Sequence, residues 1–204
     1  MTNPSTYQLF LSPRSPFARR IRLAMRRLKI EYTERVVDVF QDNPELIAAN
    51  PLGLVPTLLT PNDGAIADSS TIIEYLQEKT GAIWPKDQAR RIQMRQASSY
   101  GVGLIQSSVL YFQESALHET PSHRWMEEHL VSMENTLLHG SKMPASIWIE
   151  NGELTQAGWD LVVGLDYVSL RIPELKWREQ YPTLVSIHHE AKKNPDFLET
   201  TPKL

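Results

Sequence analysis

Apolar positions along residues 1–81 switch repeatedly between a period of two and a period near 3.6, which predicts alternating strands and helices. Tyr7 to Leu11 is a short strand-like run closed by Ser12-Pro13. From Ser15 the period changes, with Phe17, Ile21, Ala24 and Leu28 on one helical stripe and arginines on the remaining faces. Tyr32 to Val39 carries β-branched residues and reads as a second strand, and Pro44 to Ala49 as a short helix. Val55 to Leu59 reads as a third strand. Pro61-Asn62-Asp63-Gly64 then signals a turn into a fourth, Ala65 to Ala67. A helix from Ser69 to Lys79 buries Ile72, Ile73 and Leu76 and stops at Gly81. The order is β-α-β-α-β-β-α, an α/β unit whose last two strands form a hairpin and whose sheet is mixed and four-stranded.

Beyond residues 82–87, which read as a linker around Trp84-Pro85, the pattern is helical only. Gln88 to Glu119 and Ser122 to Leu138 are predicted helices. Thr155 is placed to cap another, whose body from Leu161 through Val168 to Ile172 is apolar nearly all round and therefore belongs in the centre of a domain. A last helix covers Pro182 to Lys193. The expected fold is α/β plus all-α: residues 1–81 as one domain and 88–204 as an all-helical second domain.

The chain contains no cysteine, which excludes disulfides, thiolate metal sites and every mechanism needing a protein thiol. Its six histidines show no metal-ligand spacing, so no metal is expected. A net charge of −3 gives no general reason to bind nucleic acid or an anionic membrane. No apolar run approaches the ~18 residues of a spanning helix, and the polar start is unlike a secretory signal. These features place the protein in the cytoplasm. Residues 1–30 hold Arg14, Arg19, Arg20, Arg22, Arg26, Arg27 and Lys29 with no acidic side chain. That run reads either as a solvated helix face or as a field steering an anion toward Ser15.

Three local signals carry candidate chemistry. Ser15-Pro16 marks a helix start, with serine at the N-cap and proline at the first helical position. It reads as a plain cap, or as a hydroxyl that caps its helix and still donates to a bound thiolate at the positive dipole end. Val55-Pro56 brings proline into a strand, either trans at the first strand residue or cis, with the Val55 backbone turned toward a ligand. Asp68-Ser69 precedes the third helix, as a simple cap or as a site pairing an ammonium with a carboxylate.

In this order the signals resemble the glutathione S-transferase superfamily, and a bacterial subgroup of it. The resemblance rests on Ser12-Pro13-Arg14-Ser15-Pro16-Phe17-Ala18-Arg19-Arg20-Ile21-Arg22, on Asn50-Pro51-Leu52-Gly53-Leu54-Val55-Pro56-Thr57-Leu58, and on Asp68-Ser69-Ser70-Thr71-Ile72-Ile73-Glu74-Tyr75-Leu76. It extends from Asp166-Tyr167 through Arg171, Pro173-Glu174-Leu175 and Tyr181-Pro182 to Asn194-Pro195-Asp196-Phe197. It implies a thioredoxin-like first domain with a cis bond at Pro56, Ser15 at the glutathione sulfur, Leu54 near the glycine end, Val55 at the cysteinyl portion, and Asp68 with Ser69 at the γ-glutamyl end. Leu11 stands where tyrosine-type members carry their hydroxyl, so the resemblance is to the serine type.

The implied activity is detoxifying transfer: Ser15 stabilises a glutathione thiolate that attacks a small hydrophobic electrophile. The groove for that electrophile would use Ser12, Pro13, Arg14, Phe17, Ser107 and Tyr111. Isomerisation or peroxide reduction on the same site, or a non-catalytic binding or assembly role, are the alternatives; a homodimer is implied by the family. Three positions depart from the family pattern. Leu54 replaces a frequent lysine or glutamine, Gly158 the usual acidic residue of a capping box, and Ile187 a frequent tryptophan. Lowering a thiol from about pKa 8.5 by two units requires roughly 2.7 kcal/mol. One charge-assisted hydrogen bond supplies about 1.5–3 kcal/mol.

Overall fold

The computed structural model describes residues 4–202, which divide into two compact units: 4–83 together with 196–202, and Trp84–Pro195. The first holds β1 (Tyr7–Leu11), α1 (Pro16–Arg27), β2 (Tyr32–Val36), α2 (Pro44–Ala49), β3 (Thr57–Thr60), β4 (Gly64–Ile66) and α3 (Ser69–Thr80). Its sheet has the order β2-β1-β3-β4, with β1 parallel to β2 and antiparallel to β3, and β4 antiparallel to β3. The sheet is mixed and four-stranded and the unit thioredoxin-like. On one face Phe10 packs with Val37, Leu46, Ala49, Val55 and Leu59. The pleat turns Leu9 and Leu11 to the opposite face, where both are fully buried.

The arginines of α1 are not a solvated stripe. Arg19 and Arg20 are each only 2% exposed. Arg22 pairs with Glu34 at 2.7 Å, and Arg26 reaches Asp196 at 3.2 Å and Glu199 at 2.7 Å, holding the Glu199 carboxyl below its ordinary range. Arg22 and Arg26 are thus neutralised in place and build structure rather than steer a distant anion.

Arg19 also corrects the expected extent of the helical domain, because residues 196–202 belong with the first unit. The Arg19 guanidinium donates to the Phe197 carbonyl at 2.9 Å and to Thr201 Oγ1 at 3.1 Å, and lies 4.2 Å from the Phe197 ring centre. Phe197 sits in α10 (Pro195–Glu199), a segment too short to form a helix without such anchors. Arg19→Met removes the donor but keeps most of the apolar stem. It is expected to cost about 1–3 kcal/mol by removing the charge-assisted hydrogen bonds to the Phe197 carbonyl and Thr201, read as a fall of several degrees in Tm. An unchanged Tm would mean that the Arg26 pairs and the packing of Phe197 hold the segment without Arg19.

The second unit contains α4 (Gln88–Leu117), α5 (His123–Lys142), α6 (Ala145–Trp148), α7 (Gln156–Arg171), a 3-10 turn (Pro173–Leu175), α8 (Trp177–Gln180) and α9 (Pro182–Ala191). It is helical apart from a hairpin of two residues per strand, β5 (Ile149–Glu150) with β6 (Glu153–Leu154), that the apolar pattern does not predict. α7 is the central helix: every residue from Gln156 to Leu165 is buried. It lies so close to α4 that a Cβ on Gly101 would stand 2.7 Å from the backbone of Asp160 and Leu161. Asp160 is fully buried at that crossing, accepting from Ser98 Oγ at 2.5 Å and Gln156 Nε2 at 2.9 Å.

Candidate functional site

The strand register gathers the three candidate segments at one end of the sheet. β1 runs out at Leu11 toward Ser12 and Ser15; its antiparallel partner β3 begins there, with Phe10 opposite Thr57. β4 pairs Ile66 with Leu58, so it too ends there and delivers Asp68. Ser15, Val55 and Asp68-Ser69 therefore all stand in connections off one sheet end. Ligands of open α/β sheets commonly sit there, beyond the strand ends.

Ser15 is the N-cap of α1. Its backbone is extended (φ −75°, ψ 118°), its N–H donates to the Ser12 carbonyl at 2.9 Å, and its Oγ accepts the Ala18 N–H at 3.2 Å. Used as an acceptor, the hydroxyl keeps its hydrogen for another partner. Pro16 at the first helical position has no N–H, so the hydroxyl is the donor closest to the helix start. Ser15, Ser12 and Phe17 are half-buried; Pro13 and Arg14 are exposed.

The Val55–Pro56 bond is cis, and Pro56 leads directly into Thr57, the first residue of β3. Asn50, 5% exposed, braces the approach to it, and sequence reasoning gave it no role beyond the motif. Its Nδ2 donates to the Leu54 carbonyl and to Thr57 Oγ1, both at 3.1 Å, and its Oδ1 accepts the Leu52 N–H. Thr57 adds a 2.8 Å bond to the same Leu54 carbonyl. The turn between them needs φ +63° at Gly53, the left-handed region that glycine enters without cost. Leu54 is thus tied by its backbone while its side chain is 62% exposed.

The Ala67–Asp68 bond is also cis. Asp68 caps α3, one carboxylate oxygen accepting the N–H groups of Ser70 at 2.7 Å and Thr71 at 3.1 Å, and it is exposed. Ser69 is buried and its Oγ accepts from Arg20 Nη1 at 3.0 Å. Arg20 is a second residue that the sequence did not single out; an arginine on an amphipathic helix gives no sign that it turns inward.

Ser107 and Tyr111 lie in α4 of the second unit. The Ser107 hydroxyl meets Ser132 Oγ at 3.2 Å. Tyr111 donates to Glu174 at 3.4 Å, and burial, then the nearby Glu174 charge, push its hydroxyl up. Among the described residues no group of three or more histidine, aspartate or glutamate side chains is arranged to hold a metal, and no helix is long and apolar enough to cross a membrane.

Comparison with known proteins leads to the same segments. Residues 14–79, which contain every candidate off the sheet end except Ser12 and Pro13, match the family described as "Glutathione S-transferase, N-terminal domain". Glutathione S-transferase 1 of Dianthus caryophyllus is 33% identical over 132 residues, 60% of this chain and 59% of that protein. A maleylacetoacetate isomerase of Aspergillus fumigatus is 40% identical over 76 residues, 34% of this chain and 33% of that protein. The chain thus spans about three-fifths and one-third of these curated relatives. Among solved structures, a glutathione S-transferase of Methylobacillus flagellatus with glutathione bound superimposes with a TM-score of 0.88 at 26% identity, covering 97% of this chain and all of that one. One from Methylobacterium radiotolerans, in complex with glutathione sulfonate, gives a TM-score of 0.88 at 24% identity over 97% and 95% of the two chains and bears on the fold. With the thioredoxin-like sheet, the helical second unit and the matched segment in agreement, the chain belongs to the glutathione S-transferase superfamily.

Proposed function

We propose that the chain is a serine-type glutathione transferase in which Ser15 donates a hydrogen bond to the glutathione thiolate, and the thiolate attacks a small hydrophobic electrophile. The observation that carries the reading is the capping geometry at Ser15: the hydroxyl accepts the Ala18 N–H, so its hydrogen is available at the positive end of α1. In the attack a C–S bond forms at the electrophile and its leaving group departs, or a double bond takes up the electron pair. The thiol proton goes to solvent, so the protein supplies no general base.

In this reading the Val55 backbone pairs with the cysteinyl portion of glutathione, Asp68 meets the γ-glutamyl ammonium, and Ser69 meets its carboxylate. Asp68 is suited to its part because the cap uses only one of its carboxylate oxygens. Ser12, Pro13, Arg14 and Phe17 border the sulfur and form the electrophile's side of the site. Leu54 offers the glycine end of glutathione no side-chain charge, which sets an expectation of weak binding. The setting we propose is the cytoplasm, where glutathione keeps thiols reduced, with the chain as a homodimer. Val131 and Leu138, exposed on α5, offer apolar surface to such an interface.

Isothermal titration with glutathione tests the first step. A Kd of about 1 mM, close to −4 kcal/mol, is expected. Conjugation of a chromogenic aryl halide should follow. Absence of binding at ten times that concentration would leave a non-catalytic fold, and binding without conjugation would direct attention to isomerisation. The partial match to a maleylacetoacetate isomerase favours testing maleylacetoacetate, with its cis double bond, in that case.

A further inference from the structure

Arg20 follows Ser15 on α1, yet its side chain turns inward and ends at the beginning of another helix. Its guanidinium is 2% exposed, and Nη1 donates to Ser69 Oγ at 3.0 Å and Ser70 Oγ at 3.4 Å. A guanidinium only donates, so Ser69 Oγ is held as an acceptor on that side, and its single hydrogen must go to another partner. The Asp68 cap takes the N–H groups of Ser70 and Thr71, which leaves the Ser69 N–H as a first-turn donor that the cap does not use.

The electrostatics point the same way. The first turn of α3 presents the positive end of the helix dipole, and Arg20 holds the Ser69 hydroxyl there with its hydrogen free to donate. An anion beside Ser69 meets both. Asp68 stands exposed one residue away with the opposite charge. Positive and negative poles in adjacent positions match the free end of a γ-glutamyl group, with its carboxylate and ammonium on one carbon. We infer that Arg20 is a positioning residue for glutathione, acting through Ser69 to set the affinity for the γ-glutamyl carboxylate. The inference rests on the glutathione reading given above.

The test uses two thiol-blocked ligands, so that thiolate chemistry cannot enter. One is S-methylglutathione. The other is its analogue with 4-aminobutyryl in place of γ-glutamyl, which lacks only that carboxylate. Arg20→Met should weaken S-methylglutathione about tenfold, the scale of one charge-assisted contact, and leave the analogue within twofold. Arg20→Lys should weaken S-methylglutathione less than Arg20→Met does. In turnover the KM for glutathione should rise while kcat and the thiol's pH profile stay in place. Arg20→Lys carries the same two-ligand comparison if Arg20→Met does not fold. Equal weakening of both ligands, or none, assigns Arg20 to packing and overturns the inference. Failure of the unmodified chain to bind S-methylglutathione removes the glutathione reading itself, and this inference with it.

Discussion

Ser15→Ala is expected to lower glutathione conjugation near neutral pH by about tenfold to a hundredfold, because it deletes one charge-assisted hydrogen bond of about 1.5–3 kcal/mol. The substitution leaves the backbone and dipole of α1 in place, so the loss should appear as a shift in titration. The bound thiol's pKa rises by about one to two units. Activity should return as pH is raised through that range, since deprotonation is all that the hydroxyl promotes. S-methylglutathione, which has no thiolate, should bind Ser15→Ala as it binds the unmodified chain. The Ala18 N–H loses its acceptor, and the missing cap costs about 1 kcal/mol, so Tm is measured in parallel. Full activity with an unshifted pH profile would make Ser15 a cap only. Ser12, whose carbonyl accepts the Ser15 N–H, would then be the next hydroxyl to test.

What could be read from the sequence was whatever depends on local rules. Ser15-Pro16, Asp68-Ser69 and Gly81 announce helix ends, and the structure has Ser15 and Asp68 as N-caps and Gly81 as a C-cap. Period-two and period-3.6 stretches give the order of strands and helices in the first unit, and α4, α5, α7 and α9 in the second. What was missed depends on contacts distant in sequence or on segments too short to show a period. Asn151-Gly152 is a strong hairpin signal, and both residues take positive φ, but strands of two residues leave no alternation to detect. Arg19 and Arg20 look like solvent-facing positions because composition cannot show that Phe197 or Ser69 waits to accept their hydrogens. Residues 196–202 were assigned by continuity to the helical domain; Arg19 and Arg26 hold them to α1 instead. Asn50 was legible only as part of a motif; its three bonds to the loop explain why that motif has asparagine there.

Gly158 and Gly101 carry the largest expected effects on stability. Gly158 looks like a defect in the sequence, since the superfamily pattern has an acidic capping-box residue there. The structure gives it a steric reason: a Cβ on Gly158 would stand 2.2 Å from the Trp148 carbonyl oxygen and 3.3 Å from Leu154 Cβ. That same carbonyl accepts the Thr155 N–H at 2.9 Å, so it cannot move without opening the start of α7. Restoring an acidic residue by Gly158→Asp should therefore destabilise the protein despite matching the family. At Gly101 the obstruction is also backbone, at 2.7 Å across the α4–α7 crossing, where buried Asp160 must keep its bonds to Ser98 and Gln156. Gly101→Ala and Gly158→Ala are each expected to cost about 2–4 kcal/mol, or roughly 5–15 °C in Tm for a chain of this size. Gly103 provides the opposite sign within the same helix. Nothing lies within 4 Å of its would-be Cβ, so Gly103→Ala should gain about 0.5–1 kcal/mol of helix propensity. Thermal melts of the three alanine variants under one buffer decide the matter. Should Gly101→Ala and Gly103→Ala shift Tm alike, helix propensity rather than the close approach of α4 to α7 would govern these positions.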